Sequence, residues 1–178
     1  MKNQDGFSLL ELLCVLAILS VLAYAGSAQF LAVSQDTQDQ SALKNEVKRL
    51  SEALIQARQL AVVSGKPSVL CGSTISNAMN SSSCNGDWSS GFRLYQDISG
   101  SEGGIEYRAI AFTNSLQVSW HGFPVQKQQI EFHSNGLSGY QNGTFEFCLG
   151  AWQANLVLNQ SGRFYTTDPQ VKVEGACL

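Results

Sequence analysis

The sequence predicts an α+β fold, one long N-terminal helix followed by a head of short antiparallel strands. Three observations carry that expectation. Apolar residues recur at helical spacing as far as Ala61, and a Gly65–Pro67 stop follows. From there, about eight short alternating segments are separated by turn residues, the pattern of a β-rich domain. The 178 residues suffice for one domain with a real core plus an appended helix.

The helix opens with the apolar run Gly6–Ala25. At about 1.5 Å per residue, Phe7 to Ala25 spans roughly 28 Å, close to the ~30 Å hydrocarbon core of a bilayer. Glu11 is the one charge in that run. A carboxylate in a bilayer costs on the order of 2.5–3.5 kcal/mol, so a lone one marks a functional position that needs a cation. A plain membrane anchor would leave Glu11 snorkelling at the interface. A secretory signal peptide is the rival, since Ala23-Tyr24-Ala25 before Gly26 is an acceptable small-x-small cleavage site. The early carboxylate, and Lys2 offset by Asp5, speak against it.

The helical signal continues past the run. Gly26–Gln35 is a small, apolar transition and Asp36–Gln40 is polar. Leu43, Val47, Leu50, Leu54, Ala57 and Ala61 then recur at steps of four and three, one apolar face that leaves Lys44, Glu46, Lys48, Arg49 and Glu52 largely off it. Gly65 suits a left-handed cap and Pro67 cannot continue the helix. A single helix is expected from about Phe7 to Val63, roughly 85 Å long, whose first half enters lipid and whose second half covers a sheet. The spacing at 43–61 also fits a short coiled coil with a partner. Packing within the chain is preferred, because the downstream strands need a helix on one face.

Ser68–Cys71 is the first expected strand, and Thr74–Ser90, rich in Ser and Asn, is a surface loop. Trp88 near its end is expected to fold back as a lid on the core. Strands follow at Phe92–Tyr95, Ile105–Phe112, Leu116–Trp120 and Gln129–His133, with a flexible turn at Ser99–Gly104. Asn135-Gly136 and Asn142-Gly143 are turn dipeptides. Thr144–Leu149, with Phe145 and Phe147 inward against Glu146, then Gln153–Leu158 and Arg163–Thr167 complete the set.

Cys14 lies inside the apolar run and reads as a small lipid- or helix-facing residue, whereas Cys71, Cys84, Cys148 and Cys177 all lie beyond it. An even number in an exported domain favours two disulfides, with three connectivities open. Nearest neighbours along the chain give Cys71–Cys84, closing the polar loop, and Cys148–Cys177, tying down the C-terminus. Without a C-x-x-C pair, or a partner at ligand spacing for His121 or His133, no zinc site is expected.

Chemistry-bearing motifs are missing. The sequence has no G-x-S-x-G and no H-E-x-x-H, and Gly65-Lys66 runs into Pro67 rather than forming a phosphate loop. His121, between Trp120 and Gly122, reads as a turn residue, and His133 as a strand end. Asp87, Asp97 and Glu102 are scattered near Gly-rich turns, where Asp is common. No enzyme, metal or cofactor is expected. A net charge of −3 offers no general attraction for nucleic acid.

Gly6-Phe7-Ser8-Leu9-Leu10-Glu11 resembles the processing site of type IV pilins and type II secretion pseudopilins. The resemblance implies that a prepilin peptidase cuts after Gly6 and methylates Phe7, and that Glu11 pairs with the terminal amine of a neighbouring subunit. The new ammonium at Phe7 supplies the cation that Glu11 lacks, and in low dielectric neither charge is tolerated alone. Leu54–Ala61 before a Gly-Lys-Pro turn and a strand ending at Cys71 is similar to the GspH/FimT family of minor pilins and pseudopilins. Trp88-Ser89-Ser90-Gly91-Phe92, Phe132–Gly136 before Thr144-Phe145, and Gly162-Arg163-Phe164 are similar to it as well. Ala28 lies where many major pilins carry a kinking Pro.

The resemblance divides the chain into a leader (1–6), a transmembrane helix segment (7–29), the amphipathic half of the same helix (30–64) and a β-rich head (65–178). It implies a subunit that primes or caps a type IV pilus or a type II secretion pseudopilus. Its partners would be other pilins or pseudopilins through the helix, the prepilin peptidase and the bacterial inner membrane, with the head in the periplasm. Cys148 and Cys177 resemble a feature of minor pilins in the pilus-tip priming complex. The alternative is a minor pilin for DNA uptake, since some members bind DNA through a Gly-Arg-x-Arg motif. Here Gly162-Arg163-Phe164-Tyr165 has Tyr in place of the second Arg. Arg163 and Lys172 with Phe164 and Tyr165 would then form a weak single-strand site. The preferred reading gives Arg163 a turn-capping role and Phe164 a place in the core.

Overall fold

The computed structural model describes residues 8–74, 84–96, 104–113, 115–125 and 128–177, without the side chains of 25–32. Gly6, Phe7, Asp97, Glu102, most of the Ser/Asn-rich loop and most of the 99–104 turn lie outside those residues. One helix, α1 (Leu9–Ser64), is followed by nine strands among the described residues. These are β1 (Ser68–Gly72), β2 (Gly91–Gln96), β3 (Ile105–Ala111), β4 (Gln117–Phe123) and β5 (Gln129–Phe132), then β6 (Asn142–Leu149), β7 (Trp152–Leu158), β8 (Phe164–Thr166) and β9 (Gln170–Val171). The chain divides into two compact units, Met1–Gln38 and Asp39–Leu178.

α1 starts where the Ser8 carbonyl accepts the N–H groups of Glu11 and Leu12, at 3.0 and 3.2 Å. It stops at Gly65, whose N–H still reaches the Ala61 carbonyl at 3.1 Å and whose φ of +70° then turns the chain out of the helix, the left-handed cap that a side chain would oppose. In the second unit the sheet order is β3-β2-β1-β5 in one sheet and β4-β6-β7-β8 in the other, with β9 also on β7. Every described pairing is antiparallel. The stripe Leu43, Val47, Leu50, Leu54, Ala57 and Ala61 is buried in one core with Leu70, Leu94 and Phe132 of the first sheet and Phe145, Phe147 and Leu156 of the second. Each fully buried Leu or Phe stabilises the head by about 1.5–3 kcal/mol, which is why the intramolecular packing wins. The buried Ser68 hydroxyl also donates to the Ala57 carbonyl at 2.6 Å, fixing β1 beneath the helix.

Several local expectations change. Trp88 is an interior residue rather than a lid, with its ring centroid 4.7 Å from that of Phe145. His121 and Gly122 lie within β4, not in a turn, and Asn142-Gly143 opens β6 opposite Phe123 and Gly122. The reason is steric: a Cβ on Gly122 would lie 2.2 Å from the Trp120 ring, and one on Gly143 would lie 2.5 Å from the Gly122 Cα. The two glycines pair so that the indole can cross the strands, and the chain reverses instead at Gly139 and Tyr140, with φ of +54° and +66°. Glu46 is buried, not on the solvated side of α1. β9 was not expected at all.

Two glutamines stand in for missing strand neighbours. The buried Gln141 side chain donates to the Gln129 carbonyl and accepts from the Glu131 N–H, both at 2.8 Å, capping the free edge of β5. Gln153 accepts the Val173 N–H at 3.0 Å beside β9.

Candidate functional site

The first unit offers an apolar surface that water does not favour. Leu9, Leu10, Leu12, Leu13, Val15, Leu16, Ile18 and Leu19 are all more than 45% exposed, and they follow one another too closely to share one face. A helix apolar all round needs lipid or protein around it. Glu11 sits in its first turn with an exposed side chain, and Cys14 is a free thiol on the same segment. The described side chains of the apolar run end at Tyr24, and among the described residues no helical stretch is long and apolar enough to cross a membrane.

The head is stapled twice, Cys71 to Cys84 and Cys148 to Cys177, across sequence separations of 13 and 29. The second bridge fixes the C-terminal segment, whose Cys177 N–H donates to Glu146 Oε2 at 3.0 Å. Around that carboxylate lies the closest approach to a nucleophile–base arrangement among the described residues. Ser119 Oγ is 3.0 Å from His121 Nε2, and Glu146 Oε2 is 3.7 Å from the same nitrogen. A relay requires the acid on the opposite ring nitrogen, so this group cannot pass a proton from serine to carboxylate. His133 meets Glu131 at 3.8 Å through Nδ1. No group of three His, Cys, Asp or Glu among the described residues could hold a metal ion.

Asp87 organises the turn that carries Trp88. Its carboxylate accepts the Ser90 hydroxyl, the Thr74 hydroxyl at 3.3 Å, and the backbone N–H groups of Ser89 and Ser90 at 3.1 and 3.3 Å. The Ser90 hydroxyl above all, acting against partial burial, holds the Asp87 carboxyl below the ordinary value of 3.8.

The Arg163–Lys172 pair is not brought together. Arg163 precedes β8, which pairs with the Leu158 end of β7, while Lys172 follows β9, which pairs with the Trp152 end. The two ends of β7 are about 20 Å apart at ~3.3 Å per residue, too far for one compact patch. Phe164 is half-buried and packs against the core, and Tyr165 is exposed.

Arg163 instead faces the end of α1. The helix's last turns, through Ile55, Arg58, Val62 and Val63, and the Arg163–Phe164 segment line a groove of about 620 Å³. Two turns converge beneath it: a Cβ on Gly162 would lie 2.6 Å from the Gly136 carbonyl oxygen, and one on Gly136 would lie 3.1 Å from Arg58 Nε. The sequence signal for Arg58 was its place four residues after Leu54, on the margin of the buried stripe. Glu46 had a signal too, lying three residues after Leu43 and four before Leu50 on the buried face. Its Oε1 accepts the Thr113 hydroxyl at 2.6 Å and the Thr113 N–H at 3.3 Å, and Arg49 lies 3.2 Å from Oε2.

Residues 46–162 match the family model described as type II transport protein GspH. The chain belongs to the GspH family. The match begins inside the buried half of α1 and ends at the turn before β8, so in this GspH-family chain it covers most of the head. Residues 1–23 also match the prokaryotic N-terminal methylation motif, which spans Gly6, Phe7 and Glu11. No curated protein sequence matches the chain. Among solved structures, the type IV minor pilin FimU of Pseudomonas aeruginosa is similar at 18% identity and a TM-score of 0.56, over 76% of this chain and all of that one. The minor pseudopilin EpsH from the type 2 secretion system of Vibrio cholerae is similar at 12% identity and a TM-score of 0.51, over 71% of this chain and 96% of that one. The GspH-family chain therefore has a pilin-like fold, a long N-terminal helix followed by antiparallel sheets.

Proposed function

We propose that this chain is a minor pilin or pseudopilin, a structural subunit that primes or caps a type IV pilus or a type II secretion pseudopilus. The observation that carries the reading is the methylation motif over residues 1–23, lying on an apolar run whose one charge is Glu11. Membership of the GspH family and the pilin-like fold support it. In this reading a prepilin peptidase removes residues 1–6 and methylates Phe7. The apolar segment holds the subunit in the bacterial inner membrane until assembly, with the head in the periplasm, where an oxidising environment suits two disulfides.

The chemistry of assembly follows from Glu11. A carboxylate in a bilayer is unstable without a partner, and the amine freed at Phe7 of a neighbouring subunit is a cation at matching depth. Pairing the two selects one register for the incoming helix, while the surrounding leucines supply nonspecific affinity. Glu11→Val removes the charge and keeps the apolar surface. It should leave the protein in the membrane fraction and reduce its incorporation into sheared filaments by about tenfold or more, since 1.4 kcal/mol already makes that factor. Unchanged incorporation would reject the pairing role.

A further inference from the structure

We infer that the groove between the end of α1 and the β7–β8 turn is a docking site for an acidic amphipathic helix of another filament subunit. This rests on the reading of the chain as a filament subunit. The chain has five arginines. Three of them sit on carboxylates within the second unit: Arg49 on Glu46, Arg93 on Glu106, and Arg108 on Glu52. The other two, Arg58 and Arg163, have no acidic partner among the described residues, and both line this groove. Between them the surface is apolar, with Ile55 47%, Val62 50% and Val63 87% exposed beside the half-buried Phe164.

An occupant that matches must bring carboxylates for two guanidiniums and apolar side chains for the valines and isoleucine. An amphipathic helix laid alongside α1 does both, and arginine donates two parallel hydrogen bonds to a carboxylate in a geometry that lysine lacks. Nucleic acid fits poorly. It would neutralise at most two phosphates here, and sequence-independent affinity grows with that number. The floor of the groove is tight at Gly162, where a Cβ would lie 2.6 Å from the Gly136 carbonyl oxygen.

The test uses the full chain in detergent micelles, with empty micelles as the blank. Three labelled probes are titrated at low salt: a helical peptide of about 15 residues with a leucine face flanked by two glutamates, its twin with lysines for the glutamates, and an oligothymidylate. The acidic peptide should bind about tenfold more tightly than its twin. Arg58→Ala with Arg163→Ala should abolish that difference while the tryptophan-fluorescence melt stays unchanged. Equal binding of the two peptides, no binding of either, or tighter binding of the oligothymidylate would overturn the inference. Filament incorporation is scored separately on the wild-type chain. A chain that enters filaments yet does not discriminate sinks the groove alone, and one never found in filaments sinks the underlying reading with it.

Discussion

Glu46→Ala should be among the most damaging single changes at a buried polar residue of the second unit. The side chain is buried, at 3% exposure, and its Oε1 takes both the hydroxyl and the N–H of Thr113 at 2.6 and 3.3 Å. Hydrogen bonds to a charged group contribute about 1.5–3 kcal/mol, and the exposed Thr113 can recover part of that from water. The pair with Arg49 adds a few tenths, because its guanidinium is half exposed and the spacing is i, i+3. The sum is about 2–3 kcal/mol. In a domain of this size that lowers Tm by roughly 5–10 °C. Glu46→Gln keeps the acceptor and loses the charge, so it should cost about 1 kcal/mol. Thermal unfolding followed by the fluorescence of the buried Trp88 and Trp120 reads the effect. A double-mutant cycle with Thr113→Val isolates the contact, with an expected coupling of about 1–2 kcal/mol. Coupling below about 0.5 kcal/mol would show that the contact does not hold the β3–β4 connection to α1, and would refute the reasoning.

Two further outcomes follow from the head. Replacing Cys148 and Cys177 together by Ala releases a loop of sequence separation 29, which should lower unfolding stability by about 3–4 kcal/mol in denaturant titrations; a loss under 1 kcal/mol would mean that the C-terminal segment is held by other contacts. Asp87 has a folded-state pKa below its ordinary 3.8, so its contribution is fully present above about that pH and fades as pH falls through the lower folded value. Asp87→Asn should therefore be less stable than wild type at neutral pH, and the gap should narrow below about pH 4 in a pH series of melts. A gap that widened on acidification would contradict the assigned hydrogen bonds.

Much of this fold was legible because its strongest signals are periodic. The stripe Leu43–Ala61 and the alternation of Phe145, Glu146 and Phe147 state which faces are buried, and Gly65 with Pro67 states where the helix ends. The misreadings come from residues whose role depends on a distant neighbour. Asn142-Gly143 looks like a turn until the Trp120 ring, brought over by β4, requires glycine in the strand. Glu46 looks like a surface acid until Thr113, 67 positions away, supplies donors. β9 is two residues long, with no alternation to read, and it is held partly by the Gln153 side chain. The candidate site divides the same way. Glu11 stood out as a charge within an apolar run, whereas the Arg58–Arg163 groove exists only because the β5–β6 and β7–β8 turns converge on the end of α1.

The most direct test of the account is the N-terminus of the protein recovered from its native cells, read by mass spectrometry of the terminal peptide and of the intact chain. A chain beginning at Phe7 and carrying an N-methyl group is the expected result, with both disulfides retained. A chain beginning at Gly26 and released from the membrane, or one still carrying Met1–Gly6 inside filaments, would contradict the claim that a freed amine at Phe7 is what Glu11 binds.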